Sequence, residues 1–113
     1  MRQSLLLATL GLVACGHEPT AVGLTGADDH SVTVPVGGEV SLTTVTVGPG
    51  EYESPPAISP AILRFVTVEY VGPYTPGGPR QQFHFAALAP GQAVVRFHHT
   101  GYDPDVVDTV VVR

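Results

Sequence analysis

The chain has 113 residues, which suits one small domain and is too short for two. Hydrophobic residues make up 43% of it and charged residues only 13%, so it is not a charged disordered tail. Ten acidic residues oppose five arginines and no lysine, for a formal net charge of −5, and this balance excludes a basic nucleic-acid-binding stripe.

The first fifteen residues have the pattern of a secretory signal. A positive start (MRQ) precedes an apolar, uncharged run over 4–14 (SLLLATLGLVA). This run is about half of the roughly 20 residues that a membrane-spanning helix needs, so we expect a cleaved signal and not a permanent span. Cys15, the only cysteine, follows directly, which excludes an intramolecular disulfide and a zinc site built from cysteines.

The range 12–15 (LVAC) resembles the bacterial lipobox. In lipoproteins with this motif, a peptidase cleaves before the cysteine and the thiol is diacylglycerylated. The resemblance implies a signal peptide over 1–14 and a lipid on Cys15 that tethers the mature chain to a membrane. An ordinary signal peptide followed by an incidental cysteine is the alternative.

A lipid on Cys15 predicts where the protein resides. Each buried CH₂ group adds about 0.8 kcal/mol of membrane affinity, so two or more acyl chains hold a protein stably on a bilayer. The expected location is therefore the bacterial cell envelope, with the membrane as one partner. Gly16 stands where lipoproteins held at the inner membrane often carry Asp, and by this resemblance we expect the outer membrane, facing the periplasm or the surface.

The remaining chain divides into a tether and one β domain. Residues 15–29 are small and polar after the cysteine, which predicts a flexible tether with an edge strand at 21–24. From residue 30 to 113, valines and aromatic residues alternate with polar ones. The first alternating run, through Val32, Val34 and Val36, predicts a half-buried strand.

Further strands follow at short intervals. A strand over 39–47 changes its apolar phase, which predicts a bulge near Thr43 and Thr44. After a loop over 48–60, β-branched and aromatic residues predict a strand at 61–71, with a helix starting at Ser59-Pro60 as the alternative. The pattern then predicts a loop at 72–79 and three strands, listed by their ranges: 80–87, 92–99 and 106–113.

This succession of short strands predicts an all-β fold. Six to seven strands separated by turns, with no convincing helix, are typical of a small antiparallel immunoglobulin-like β-sandwich. The spacing of the strands alone does not separate a sandwich from a barrel.

Three segments of the second half resemble known families. Gly77-Gly78, the run 82–85 (QFHF) and the run 88–95 (LAPGQAVV) are similar to bacterial immunoglobulin-like domains and to the chagasin-like inhibitors of cysteine proteases. In those inhibitors, a double-glycine loop before an aromatic strand is one of three loops that enter the protease cleft. Gly77, Gly78 and Phe83 are the matching positions, and the implied activity is inhibition by loop insertion.

Two other segments of the inhibitor family are missing. The chain has no Asn and no Trp, so neither the Asn-Pro-Thr-Thr-Gly-Tyr segment nor the Arg-Pro-Trp segment of that family is present. The run 98–104 (HHTGYDP) stands near the position at which the Arg-Pro-Trp segment would fall. The resemblance therefore covers about 30 residues.

Histidines on neighbouring strands raise the question of a metal site. If the strands of His84 and His98 pair on one face, the two rings and a nearby carboxylate of Asp103 or Asp105 would suit zinc or copper. The alternative is that both histidines are outward polar positions of a sheet, and we expect no metal.

No residue pattern indicates catalysis. Glu51 and Glu53 could serve as a carboxylate pair, but loop acids on an acidic surface are usually solvated. The acids at 103, 105 and 108 lack the spacing of a calcium-binding hand, and no serine has the context of a nucleophile elbow. We therefore predict no enzyme activity and no cofactor.

Exposed tyrosines and glycines in the loops favour a binding role. Tyrosine offers a large contact area at a low entropy cost, and sandwich ends are where such domains bind partners. The candidate partner-binding residues are Tyr52, Tyr74, Gly77, Gly78 and Tyr102, with stiffened turns as the alternative. The prediction is a membrane-anchored, non-catalytic binding or structural module with an unidentified protein partner.

Overall fold

Two four-stranded sheets form the fold. The computed structural model describes residues 20–23, 30–46, 49–75 and 78–113; Cys15 and the predicted signal peptide lie outside these ranges. The sheets have the strand orders β1-β3-β6-β5 and β2-β8-β7-β4. The strands are β1 (Thr20–Gly23), β2 (His30–Val34), β3 (Glu39–Thr46), β4 (Ala57–Ser59), β5 (Leu63–Thr75), β6 (Gly78–Ala87), β7 (Gly91–Phe97) and β8 (Val106–Val112).

Alternating burial explains why these residues form strands. In β7, the side chains of Ala93, Val95 and Phe97 are buried while Val94 and Arg96 between them are exposed. β8 alternates in the same way along its whole length. Successive side chains of a strand point to opposite faces, so each strand presents one apolar face to the other sheet. The predicted all-β sandwich is confirmed.

Aromatic rings join the two sheets in the core. Phe83 of β6 and Phe97 of β7 are both fully buried, and their ring centroids lie 4.8 Å apart in an edge-to-face arrangement. Phe65 packs against Phe85 of the same sheet at 5.9 Å. The chain has no disulfide available, so burial of these rings and of the surrounding valines is the main force that holds the sheets together.

Four of the six strand pairs are antiparallel as predicted, and the pairs formed by the edge strands β1 and β2 are parallel. β1 runs parallel to β3, and β2 runs parallel to β8. The chain crosses from one sheet to the other between β1 and β2, and each of these short strands joins the edge of a sheet beside a strand that runs in the same direction. The edge strand that the sequence predicts at 21–24 is β1, which spans Thr20–Gly23.

Other local predictions are confirmed or corrected by the strand register. The bulge near Thr43 and Thr44 is confirmed as a register shift between Thr43 and Thr46. The predicted loop at 72–79 is wrong, because β5 continues to Thr75 and pairs with Gly78 at the start of β6. β4 was not predicted, and the alternative helix at Ser59-Pro60 is wrong because Ser59 ends this strand. None of the described residues forms a helix, so no helical segment among them is suited to cross a membrane.

The strand directions create two distinct ends of the sandwich. β1, β3, β5 and β7 run toward one end, where β2, β4, β6 and β8 start and where the connections 47–56 and 98–105 lie. We call this the loop end. The opposite end, which we call the base, holds the turns at 35–38, 60–62 and 88–90.

Candidate functional site

Two loops at the loop end are joined by their backbones. Tyr52 and His99 form an antiparallel bridge. The amide of Glu53 donates to the carbonyl of His98 at 2.8 Å, and the amide of Thr100 donates to the carbonyl of Glu51 at 2.8 Å. The residues 51–53 and 98–100 therefore form one short ladder that joins the two loops.

Two glycines allow this close approach. Gly50 has a φ of +98°, and a Cβ atom there would lie 2.8 Å from Cε1 of His99. At Gly101, a Cβ atom would lie 2.8 Å from the carbonyl oxygen of Pro49. Any larger side chain at either position would push the loops apart, since real Cβ atoms do not approach other atoms so closely.

A buried glutamine fixes the first loop to the sheet. The side-chain amide of Gln81, which is 1% exposed, meets both backbone groups of Tyr52. The Tyr52 amide donates to Oε1 at 2.8 Å, and Nε2 donates to the Tyr52 carbonyl at 3.0 Å. Sequence reasoning missed Gln81, although its position on the core-facing phase of β6 (81, 83, 85, 87) was a signal that its polar group needs a buried partner.

Tyr52 is an anchor of the loop and not an exposed contact. Its side chain is 2% exposed, so the expectation that this tyrosine lies exposed in the loop is wrong. The ring lies edge-on to His99 at 4.8 Å and to Phe97 at 6.5 Å between centroids. Burial, and then the nearby charge of Asp103, raises the pKa of the Tyr52 phenol. The ring is buried because the loop folds back over the apolar end of β7.

The other predicted contact residues lie near the loop end. Tyr102 is 100% exposed at the tip of the loop 98–105. Tyr74 and Gly78 belong to the hairpin of β5 and β6, where Thr75 pairs with Gly78, and Gly77 lies outside the described residues. Phe83, which matched the inhibitor family by sequence, is fully buried in the core and therefore supports the hairpin without reaching the surface.

The hairpin strand is also linked to the first loop. The hydroxyl of Tyr70 on β5 donates a short hydrogen bond to Oε1 of Glu51. This hydrogen bond raises the pKa of Tyr70. The contact joins elements that are distant in the sequence, so the two described loops and the adjoining strand of the hairpin form one continuous surface.

A polar cluster flanks the loop ladder. Nδ1 of His98 lies 2.8 Å from Oδ1 of Asp105, and Nη1 of Arg96 donates to Oδ2 of the same carboxylate at 3.3 Å. The hydrogen bond to Asp105, followed by its charge, raises the pKa of His98; in turn His98 lowers the pKa of Asp105, with Arg96 adding to that effect. An open depression of about 190 Å³ adjoins the cluster and is lined by Glu53, Pro55, Pro56, Ala57, Arg96 and His98.

The two weak metal-ligand candidates, His84 and His98, are not brought together. His84 lies on β6, which pairs with β3 and β5, whereas His98 follows β7 in the other sheet. Nδ1 of His84 is instead 2.8 Å from the Ser41 hydroxyl, and its Nε2 is 3.4 Å from Glu69. The pairing of His84 with His98 is therefore wrong, although Asp105 does lie beside His98 as expected. Within the part of the chain that the structure describes, no three metal-ligating side chains are grouped.

The loop end has an acidic character. Among the described residues, its four carboxylates are accompanied by two arginines, Arg80 and Arg96, and by His98. These acids are Glu51, Glu53, Asp103 and Asp105. Such a surface, with its loops held in place by buried groups, is suited to bind a partner of complementary charge.

Comparison with known proteins supports the fold assignment. No protein-family model matches the chain, and no curated protein matches it. The crystal structure of the cysteine protease inhibitor EhICP2 from Entamoeba histolytica is similar, with a TM-score of 0.62 at 13% identity over 87% of this chain and 100% of the inhibitor. The solution structure of Amebosin gives a TM-score of 0.61 at 18% identity over 85% of this chain and 100% of Amebosin. The chain shares the fold of a cysteine protease inhibitor.

The buried glutamine leads to a stability prediction. We expect Gln81→Leu to lower the free energy of unfolding by about 2–3 kcal/mol, because it leaves the amide and the carbonyl of Tyr52 without partners. Hydrogen exchange at the Tyr52 amide should accelerate. The matched control is Gln82→Leu on the opposite face, where the side chain makes only a 3.4 Å contact with Thr43 and the expected loss is below about 1 kcal/mol. Equal losses in the two variants would contradict the role of Gln81.

The polar cluster leads to a pH prediction. We expect the ring of His98 to titrate above the ordinary value of about 6.5 in the wild-type protein and to return toward it in Asp105→Asn. The pair stabilises the fold between the lowered pKa of Asp105 and the raised pKa of His98, and its contribution is lost as the pH rises through the pKa of His98. Asp105 has a lowered pKa, so at the acidic side the contribution is lost as the pH falls through that pKa. Nuclear magnetic resonance titration of the His98 ring measures its pKa. Asp103→Asn is the control and should leave the pKa of His98 unchanged.

Proposed function

We propose that the loop end inserts into the active-site cleft of a cysteine protease and that the chain acts as a non-catalytic inhibitor. The observation that carries this proposal is the ladder that joins the loops 47–56 and 98–105 into one unit beside the β5–β6 hairpin. This arrangement occurs on a sandwich with the fold of a cysteine protease inhibitor. Three loops at one end are also what the sequence resemblance to the chagasin-like inhibitors implies.

The buried contacts behind the loops favour tight binding. A loop that is already held in its bound conformation loses less conformational freedom when it enters a cleft, and this saving appears as affinity. Gln81 holds the first loop at Tyr52, and Gly50 and Gly101 permit the close contact with the second loop. The residues that hold the loops are distinct from the residues that would touch the protease.

Tyr102 and the hairpin tip are the proposed contact residues. Tyr102 is the fully exposed aromatic group of the loop 98–105, which stands where the Arg-Pro-Trp segment of the family would fall. Gly78 starts β6 where it pairs with Thr75 of β5, and Gly77-Gly78 match the double-glycine loop of that family by sequence. The first loop lacks the family's Asn-Pro-Thr-Thr-Gly-Tyr segment and would contribute backbone groups and the carboxylates of Glu51 and Glu53 instead.

The N-terminal sequence supports a proposal about the cellular setting of this activity. We propose that Cys15 carries the lipid, that the protein is held in a bacterial cell envelope, and that it acts there by binding. The strand orders β1-β3-β6-β5 and β2-β8-β7-β4 support the immunoglobulin-like arrangement expected for this module.

Inhibition of papain tests the proposed function. We expect the wild-type protein to inhibit papain at or below micromolar concentration and Tyr102→Ala to raise the inhibition constant at least about tenfold, since it removes a central aromatic contact. The control is Leu88→Ala, which removes an exposed apolar side chain at the base and should leave the inhibition constant unchanged. Absence of inhibition by the wild-type protein, or equal effects of the two variants, would contradict the proposal.

Metabolic labelling tests the lipid anchor. Cells that express the full chain and receive labelled palmitate should yield a labelled protein in the membrane fraction, and Cys15→Ser should abolish both the label and the membrane association. The hydroxyl of serine cannot be converted into the thioether that links the lipid to cysteine. Label that persists in Cys15→Ser would remove the anchor from the proposal.

A further inference from the structure

The direction of β1 determines which end of the sandwich is nearest to Cys15. β1 runs parallel to β3, and Thr20 pairs with Val40, one residue after the start of β3 at the base. The chain therefore enters the sandwich at the base and runs from there toward the loop end. The C-terminal residue, Arg113, also lies at the base, where its amide donates to the carbonyl of Val34 at 3.1 Å.

The length of the connection limits how far the base can stand from a bilayer. The five residues from Cys15 to Thr20 extend at most about 18 Å, whatever conformation they adopt. β5 alone, with 13 residues, spans about 40 Å between the two ends. A lipid on Cys15 thus holds the base near the membrane, and a tilt of the sandwich is the only way to bring the loop end close as well.

The base carries exposed apolar side chains. Val36 is 43% exposed in the turn 35–38, and Leu88 is 51% exposed in the turn 88–90. The two turns are joined because the amide of Gly37 donates to the carbonyl of Ala87 at 2.9 Å. Exposed prolines at 35 and 90 add to this apolar surface. The free energy falls when apolar side chains leave water and enter the boundary region of a bilayer.

The charges of the two ends are opposite in character. Among the described residues, Arg64 and Arg113 lie at the base with one acid, Glu39. The loop end instead holds the four carboxylates described above with two arginines, so its described side chains carry a net negative charge. The surface of a membrane that contains anionic lipids attracts basic groups and repels acidic ones, so it favours contact with the base and disfavours a tilt that lowers the loop end.

We propose that the base is a membrane-facing surface that contacts an anionic lipid bilayer through Val36, Leu88 and the two arginines, and that it holds the loop end outward. This orientation rests on the lipid at Cys15 proposed above. It deepens the proposed function, because loops that point away from the bilayer are accessible to soluble proteases.

Single tryptophan probes test the orientation. The chain has no Trp, so Leu88→Trp and Tyr102→Trp each introduce one fluorophore, at the base and at the loop end. Each lipidated full-length protein, recovered from cell membranes, is placed in vesicles of phosphatidylethanolamine and phosphatidylglycerol with brominated acyl chains that quench tryptophan. We expect at least about a twofold loss of fluorescence and a blue shift for Leu88→Trp and no change for Tyr102→Trp. The second variant controls for the affinity of tryptophan itself for membranes.

A charge variant tests the electrostatic part. Combining Arg64→Gln and Arg113→Gln with Leu88→Trp should reduce the quenching in phosphatidylglycerol vesicles and leave it unchanged in vesicles of phosphatidylcholine alone. Quenching that is equal at the two probe positions, or stronger for Tyr102→Trp, would overturn the orientation while the anchor stands. A wild-type protein that is absent from the membrane fraction would remove the anchor and the orientation together. Inhibition of papain by wild-type vesicles is a separate measurement, so a failure of the inhibitor proposal is distinguished from a failure of the orientation.

Discussion

The paired hydrogen bonds between the Gln81 side chain and the Tyr52 backbone are the contact on which the loop end depends. The side-chain amide of Gln81 and the backbone amide and carbonyl of Tyr52 are all buried, and each would be costly without a hydrogen-bond partner. They are partners for one another only when the loop lies against β6. Once Tyr52 is in place, its ring covers the end of the aromatic core and its neighbours Glu51 and Glu53 pair with the second loop. A single polar side chain on the core face thereby connects the packing of the sheets to the geometry of the exposed surface.

The sandwich is polar along its long direction, and this polarity gives its two ends different chemical roles. One end has joined loops, four carboxylates and a fully exposed tyrosine. The other has exposed apolar turns, two arginines with a single acid among the described residues, and the entry point of the chain. The long strands connect the two ends. The segment that precedes the domain is therefore separated from the loops that would bind a partner. The same topology would allow a short tether to serve both a membrane anchor and an outward binding surface.

Particular elements show how far local sequence patterns reach. Alternation correctly predicted a strand at 92–99, and Ala93, Val95 and Phe97 share its buried face because side-chain direction in a strand has a period of two residues. The phase change in β3 correctly indicated a bulge. By contrast, the pairing of His84 with His98 required the two strands to share a sheet, and no local pattern specifies which strands become neighbours. Tyr52 was assigned to an exposed loop because its burial depends on Gln81 and His99, which lie 29 and 47 residues further along the chain.

Properties of neighbouring residues were sufficient for two predictions. The alternation within the strands predicted an all-β sandwich, and the apolar N-terminal run before the single cysteine predicted a lipidation motif at Cys15. Three features arise only in the folded chain: the contact between the loops 47–56 and 98–105, the burial of Tyr52, and the entry of the chain at the base. These features depend on strand order and direction, which are decided by contacts between distant segments as the two sheets bury their aromatic faces against each other.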